Sequence, residues 1–316
     1  MTNTLLRLCI AIIGMVSFAQ NEPTYKYELE LATDNDYFVI YNTSDRNYTY
    51  GVAGRFRWIS ANNQFLSALF ASKKHHSYTV GLSIEAYTPN YRKNDTETSI
   101  TIERPYAGWS YAVFESNYSF KHAFFRFGLE LGILGPASQA GAFQNYIHEH
   151  ITQDALVDWS EQIPNQLGIN LTSSYAHELF SFGFFDGYAS AQASVGTILT
   201  YVWPKIHFRL GKFNTIGSSV SGNNGLFSES KKAEWFLDYG MGFKLSGYNA
   251  TIQGNVFQGS PEKPSQQINH YIVTAHATVM YSYQHVTAAF GLNFNTGEFD
   301  RTKNHAFGSL RLLYRF

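Results

Sequence analysis

The chain has 316 residues and a formal net charge of −1, which gives no electrostatic case for a nucleic-acid partner. Aromatic residues reach 17%, with 22 Tyr and 26 Phe, while charged residues are only 15%. That balance is unusual for a soluble enzyme and common where aromatic side chains line a membrane interface. No P-loop, G-x-G-x-x-G, G-x-S-x-G or local Cys/His zinc spacing stands in the chain.

Residues 1–19 read as a secretory signal peptide. Arg7 supplies the positive region, 8–16 a short apolar core, and Ser17-Phe18-Ala19 a small-x-small cleavage site before Gln20. The apolar run is too short to span a bilayer. Cys9 lies inside this segment, so the expected mature domain, 20–316, holds itself together without disulfides.

From there on the chain alternates. Tyr25, Tyr27, Leu29 and Leu31 oppose Lys26, Glu28, Glu30 and Ala32. Phe125, Phe127, Leu129, Leu131 and Ile133 oppose Arg126, Gly128, Glu130 and Gly132, and Trp235, Leu237, Tyr239, Met241 and Phe243 oppose Asp238, Gly240, Gly242 and Lys244. Such strands suit either a soluble sandwich or a membrane barrel. The polar faces mix Gly and Ser with charges of both signs, as a filled or watery lumen requires, and the runs approach the ten or so residues of a tilted membrane strand. The terminal run Leu310-Arg311-Leu312-Leu313-Tyr314-Arg315-Phe316 resembles the sorting signal of outer-membrane barrels. The expected fold is therefore all-β, a transmembrane antiparallel β-barrel.

Thirteen runs qualify as strands. An even number is required when both ends lie in the periplasm. The weakest run, 249–256, is short, contains glycine and precedes Gly259-Ser260-Pro261, so it is assigned to a loop and twelve remain. The connections 34–47, 88–106, 135–165, 247–270 and 297–304 then share one side, expected to be the exterior. The long connections 61–77 and 212–233 fall on the other side, where short turns are the rule.

The 135–165 connection departs from the strand pattern. Ala140, Phe143 and Ile147 follow helical spacing, and Trp159 and Ile163 are again four apart. It also carries Gln144, Asn145, His148, Glu149, His150, Asp154 and Asp158. A long non-strand connection on a rigid scaffold is a natural place for function. Asn35 and Asp36 end the first strand, and Thr49 opens its hairpin partner, so all three meet at the rim from which the helical insertion leaves.

Together the motifs resemble one family. They are Asn35-Asp36, Asp45-Arg46-Asn47-Tyr48-Thr49-Tyr50-Gly51, Tyr87-Thr88-Pro89, Arg104-Pro105-Tyr106-Ala107-Gly108-Trp109, Gly132-Ile133-Leu134-Gly135-Pro136, and Gln144-Asn145-x-x-His148 followed by Trp159 and Gln162. In this order they resemble the outer-membrane lipid A 3-O-deacylases, the LpxR family. The resemblance implies a bacterial outer-membrane enzyme, its site facing the exterior, that removes the 3′-linked acyl chains of lipid A. It implies His148 as the base, with Asn35, Asp36 and Thr49 on the metal and oxyanion side. It further implies Asp36 and Asp154 as acidic ligands of a calcium ion, and Arg92 and Lys93 as contacts to the lipid A head group. Thr152 stands where the family usually has glycine, and Pro164 interrupts the 162–165 run.

The chemistry agrees. Ester hydrolysis without a serine nucleophile needs a base for water and positive charge where the oxyanion forms. An imidazole suits the first task, and calcium held by hard oxygens such as the Asp36 carboxylate and loop carbonyls suits the second. Two other readings stand beside this one: a non-enzymatic barrel serving as a small pore or ligand-binding scaffold, and an outer-membrane phospholipase. The expected partners are lipopolysaccharide and outer-membrane lipids, and a monomer is expected.

Overall fold

The structure is a computed structural model and describes residues 25–39, 47–60, 70, 73–89, 91–93, 100–102, 104–153, 155–228, 232–255, 267–299 and 304–316. Its strands are β1 (Tyr27–Asn35), β2 (Asn47–Ile59), β3 (His75–Thr88), the short pair β4 (Tyr91–Lys93) and β5 (Ile100–Ile102), β6 (Ala107–Ser119), β7 (Ala123–Leu134), β8 (Gln166–Ser181), β9 (Phe185–Gly196), β10 (Leu199–Lys212), β11 (Glu234–Asn249), β12 (Tyr271–Tyr283), β13 (Val286–Asn295) and β14 (His305–Arg315). All but β4 and β5 join in one closed antiparallel barrel of twelve strands, each bonded to its chain neighbours and β1 closing on β14. Closure satisfies every strand edge, the condition for a sheet to cross lipid. The sandwich alternative is thereby excluded. The proposed signal peptide lies outside the described residues.

Directly opposed residues in a ladder share a face, so one strand's polarity fixes its neighbours'. Leu29 and Leu31, Leu82, Leu131, Leu171, Met241 and Phe243, Val279, and Leu310 and Leu312 are exposed and form a continuous outer belt. The alternate residues turn inward and are charged. Arg57 bonds Glu28 and Glu30, and Arg209 bonds Asp186 (Nε–Oδ1 3.0 Å), all of them buried. An interior this polar is stable only because its charges are paired.

The connection of 213–233 accounts for its own unexpected length. Its described residues turn back into the lumen through two short 3-10 turns, Val220–Gly222 and Gly225–Phe227. The barrel's inward arginines bind its backbone: Arg126 donates to the Gly222 carbonyl (2.9 Å) and Arg315 to that of Gly225 (3.0 Å). Arg209 donates to the Ser219 hydroxyl (2.8 Å), and Glu234 accepts the Val220 N–H (2.9 Å). Ile216, Ser219, Val220 and Asn224 are buried. The segment is a plug at the rim opposite the helical insertion.

The run at 249–256 is indeed no strand in its described part. Asn249 ends β11 and caps a single helical turn, α2 (Ala250–Gln253), through the Thr251 N–H. In the insertion, helix α1 spans Ala140–Ile147. The helical spacing of Trp159 and Ile163 misleads, however, because 155–165 is irregular. Its polar backbone groups find partners across α1 and on Tyr106 instead, and Pro164 cannot continue a helix.

Candidate active site

At the rim carrying α1, the outer face of the wall is covered rather than bare. Asn35 pairs with Tyr50 and with Gly308, and therefore shares the face of Leu29 and Leu31. The β2–β3 register slips at Thr49: Tyr48 pairs with Tyr87 but Tyr50 with Ala86. One extra residue in a strand re-aims the side chains beside it, a device common next to functional sites. Here it puts the Thr49 hydroxyl 2.7 Å from that of Thr88. The Asn35 side chain accepts the Tyr37 N–H at 2.7 Å and so starts the 3-10 turn Asp36–Phe38. Asp36, the turn's first residue, is only 2% exposed. Phe38 folds the turn back over Gly308, where any Cβ would come within 2.5 Å of it. Asn35, Asp36 and Thr49 are thus brought together, as their hairpin adjacency predicts.

Helix α1 lies on this same face. The Tyr50 hydroxyl donates to the Ala140 carbonyl (2.7 Å), and its ring is 5.6 Å from that of Phe143. Tyr50, Ala86, Tyr106, Ala140 and Trp159 form a buried apolar cluster, with Val52, Ile84, Phe143 and Val157 packed around it. Gly108 is required beneath the helix, since a Cβ there would sit 2.6 Å from that of Ala140. At its C-terminus α1 loosens into a π turn, His148–Thr152, a distortion often found at functional sites. Thr152 is accommodated within that turn, and the chain reverses one residue later at Gln153 (φ 60°).

The amides of Gln144 and Asn145 are clamps. Asn145 makes a reciprocal pair with Val157, donating to its carbonyl (3.0 Å) and accepting its N–H (2.8 Å). The Trp159 indole donates to Gln144 (3.0 Å) and its ring sits against Gly141. These bonds lay 155–159 along α1 and bring the Ala155 carbonyl within 2.8 Å of His148 Nδ1. A carbonyl only accepts, so Nδ1 carries the proton and Nε2 is the basic nitrogen. Asp158 accepts the Ser160 N–H, which holds its carboxyl below its ordinary range and marks it as a turn residue.

Asp154 lies outside the described residues, as do Asp45 and Arg46. Arg92 and Lys93 belong to the β4–β5 hairpin, which rises from the same rim within the connection between β3 and β6. Of the family-like motif, Arg104 works elsewhere: it is fully buried, stands 4.6 Å above the Tyr87 ring and donates to Thr251 Oγ1 (2.9 Å), tying α2 to the rim. Sequence reasoning named Tyr50 and Thr88 as motif positions without a role and missed Ala155, since their parts depend on the bulge and on the return segment's path.

The oxygens near Asp36 in chain and ladder are its own buried carboxylate, the Asn35 amide oxygen and the Thr49 hydroxyl. All are hard oxygens, which suit calcium and not a thiolate-seeking metal.

Beside these residues apolar groups are uncovered on the Asp36–Phe38 turn and on the insertion. Tyr37, Tyr146, Ile151 and Leu156 are all exposed.

A family model described as outer membrane protein LpxR matches residues 5–316. Among solved structures, LpxR from Salmonella typhimurium is similar over 92% of this chain and 100% of its own, with a TM-score of 0.71 at 18% identity. The β-domain of the Bordetella autotransporter Brka matches 93% of the chain and 100% of its own at a TM-score of 0.45 and 8% identity, a distant likeness between barrels. A comparison with curated protein sequences found no match. With nearly its whole length matched by that model and its twelve-stranded barrel shared with the Salmonella protein, this chain belongs to the LpxR family of outer membrane proteins.

Proposed function

We propose that the protein is a calcium-dependent esterase of the bacterial outer membrane that removes the 3′-linked acyloxyacyl chain of lipid A, with its site on the exterior side. The observation that carries this reading is the position of the polar set. Asn35 shares the outward face of the wall at the rim where α1 is seated, Asp36 follows it in the chain and Thr49 adjoins its ladder partner Tyr50, and His148 has its Nδ1 committed to a carbonyl. An acyl chain in the outer leaflet can lie along the apolar belt while its ester reaches the polar rim.

His148 Nε2 takes a proton from water as the water attacks the ester carbonyl. The Ala155 carbonyl fixes the tautomer and ring orientation for that task. Asn35 and Thr49 line the oxyanion side, and Arg92 and Lys93 engage a phosphate or sugar of the head group. Calcium, when held by Asp36 with Asp154 and neighbouring oxygens, supplies positive charge beside the forming oxyanion.

Two features count against the alternatives. The 213–228 segment fills the lumen at one end, which disfavours a pore. Among the described residues, the site presents a histidine base without a serine on the same motif, which disfavours a serine phospholipase. The test is the mass spectrum of lipid A from cells with and without the protein, with phospholipid assayed beside it. Loss of one acyloxyacyl mass is expected. Identical spectra would leave a scaffold, and phospholipid cleavage alone a phospholipase.

A further inference from the structure

A second cluster of reactive side chains lies inside the barrel, away from the rim. His207 on β10, Gly240 on β11 and His276 on β12 stand in one row of the sheet, His207 paired to Gly240 and Gly240 to His276. Opposed residues share a face, and this row faces the lumen. Asp238 is two residues along β11 on the same face. Its Oδ1 lies 3.3 Å from His207 Nδ1 and 3.6 Å from His276 Nε2. All three ligand atoms fall within 4.8 Å of one another. Ligands about 2.0–2.1 Å from a tetrahedral metal stand roughly 3.3 Å apart, so the two measured edges match a shared ion.

Gly240 makes the convergence possible. A Cβ there would meet His276 Cε1 at 2.2 Å and Nε2 at 2.8 Å, and His207 Nδ1 at 2.9 Å. The glycine leaves the hollow into which both imidazoles lean. The surroundings orient each ligand. His207 Nε2 is 2.8 Å from the Ser190 hydroxyl, which directs Nδ1 toward the cluster, and the Tyr188 ring stacks on the imidazole at 4.2 Å. Asp238 Oδ2 accepts from the Tyr188 hydroxyl (2.6 Å) and from that of Ser221 in the plug. Outer contacts of this kind hold ligands in place and set their tautomers in metal sites.

We propose that His207, Asp238 and His276 form a binding site for a first-row transition dication of the zinc class, independent of the rim site. Two imidazoles and one carboxylate suit such an ion better than calcium. Three protein ligands leave a fourth position toward a cavity of about 280 Å³ whose wall also carries Arg126, Lys205 and Arg311, a setting for water or a small anion. The ion would staple β10, β11 and β12 and, through Ser221 on Asp238, hold the plug against the wall.

The test uses the folded full-length barrel in detergent, stripped with chelator and then loaded with zinc or cobalt(II). An Asp36→Ala background removes the rim carboxylate from the count. The expected result is one zinc per chain surviving desalting, and a cobalt(II) spectrum with the intense visible bands of tetrahedral coordination. Adding His276→Gln, or separately Gly240→Ala, should lower retained zinc at least tenfold, with folding verified by heat-shifted gel mobility. If either variant does not fold, the cobalt spectrum of the Asp36→Ala protein decides alone. No retained zinc in that protein, a featureless or octahedral cobalt spectrum, or zinc content unmoved by His276→Gln in a folded barrel would overturn the proposal.

Discussion

Two long connections of this barrel meet opposite fates, and the contrast explains where function can lie. Helix α1 of the 135–165 connection lies on the outer wall with Trp159 packed beside it, whereas 213–228 folds into the lumen. The first brings Phe143 and Trp159, large apolar groups that gain by covering an apolar face. The second is rich in Ser, Gly and Asn, whose carbonyls and hydroxyls accept hydrogen bonds from inward-pointing arginines. A connection goes to the surface whose chemistry it completes. In the function proposed here the outer one meets lipid substrates, while the inner one plugs the lumen.

Breaking the outer side should have the largest effect. His148→Asn should fold and insert normally yet lose about two to four orders of magnitude in deacylation rate, since general base catalysis contributes roughly 100- to 10,000-fold. Asp36→Ala should lose activity along with calcium affinity, with partial recovery in excess calcium, and chelation should silence the wild type reversibly. Both are read in a detergent assay with defined calcium.

The inner side is tested through Arg209, which binds Asp186, Ser219 and the Asn214 carbonyl from a fully buried position. Arg209→Ala leaves the Asp186 carboxylate buried without this cation and should cost about 3–5 kcal/mol in denaturant unfolding. It should also release the plug, so single-channel conductance should rise while a rim-sited hydrolysis persists in whatever fraction remains folded.

Asn145→Ala removes two hydrogen bonds between α1 and the return segment. Roughly 1–2 kcal/mol of local stability should go with them, and activity should drop about tenfold as the Ala155 carbonyl no longer fixes the His148 ring. The smallest effect is expected from replacing Arg92 and Lys93 with Ala. A head-group contact that is equal in ground and transition states raises KM and spares kcat.

How much of this was legible in the sequence depends on the length scale of the signal. Period-two alternation revealed the strands, because each strand's faces are set by its own residues, and the mixed polar faces, run lengths and terminal run pointed to a barrel over a sandwich. Ala140, Phe143 and Ile147 likewise marked α1. Asn35, Asp36 and Thr49 could be grouped because hairpin neighbours are adjacent whatever the details. The bulge at Thr49 was not legible, since one extra residue in a strand leaves no local mark, yet it sets which way Thr49 and Tyr50 face. Nor could spacing reveal that helix α1 covers the wall. His207, Asp238 and His276 are far apart in sequence, and only the register of three strands aligns them. Trp159 and Ile163 show the converse error: a four-residue spacing arose in a segment whose shape is dictated by Gln144, Asn145 and Tyr106.

The central claim is that substrate meets the protein on the lipid-facing wall beside α1. Its most direct test places a photoreactive benzoylphenylalanine in the His148→Asn protein, either at the exposed Tyr146 of α1 or at Asn293 in the lumen. Irradiation in outer-membrane vesicles is followed by mass spectrometry of the adducts. The account predicts lipid A attached at position 146 and none at position 293. Lipid A captured at 293 and absent from 146 would contradict it.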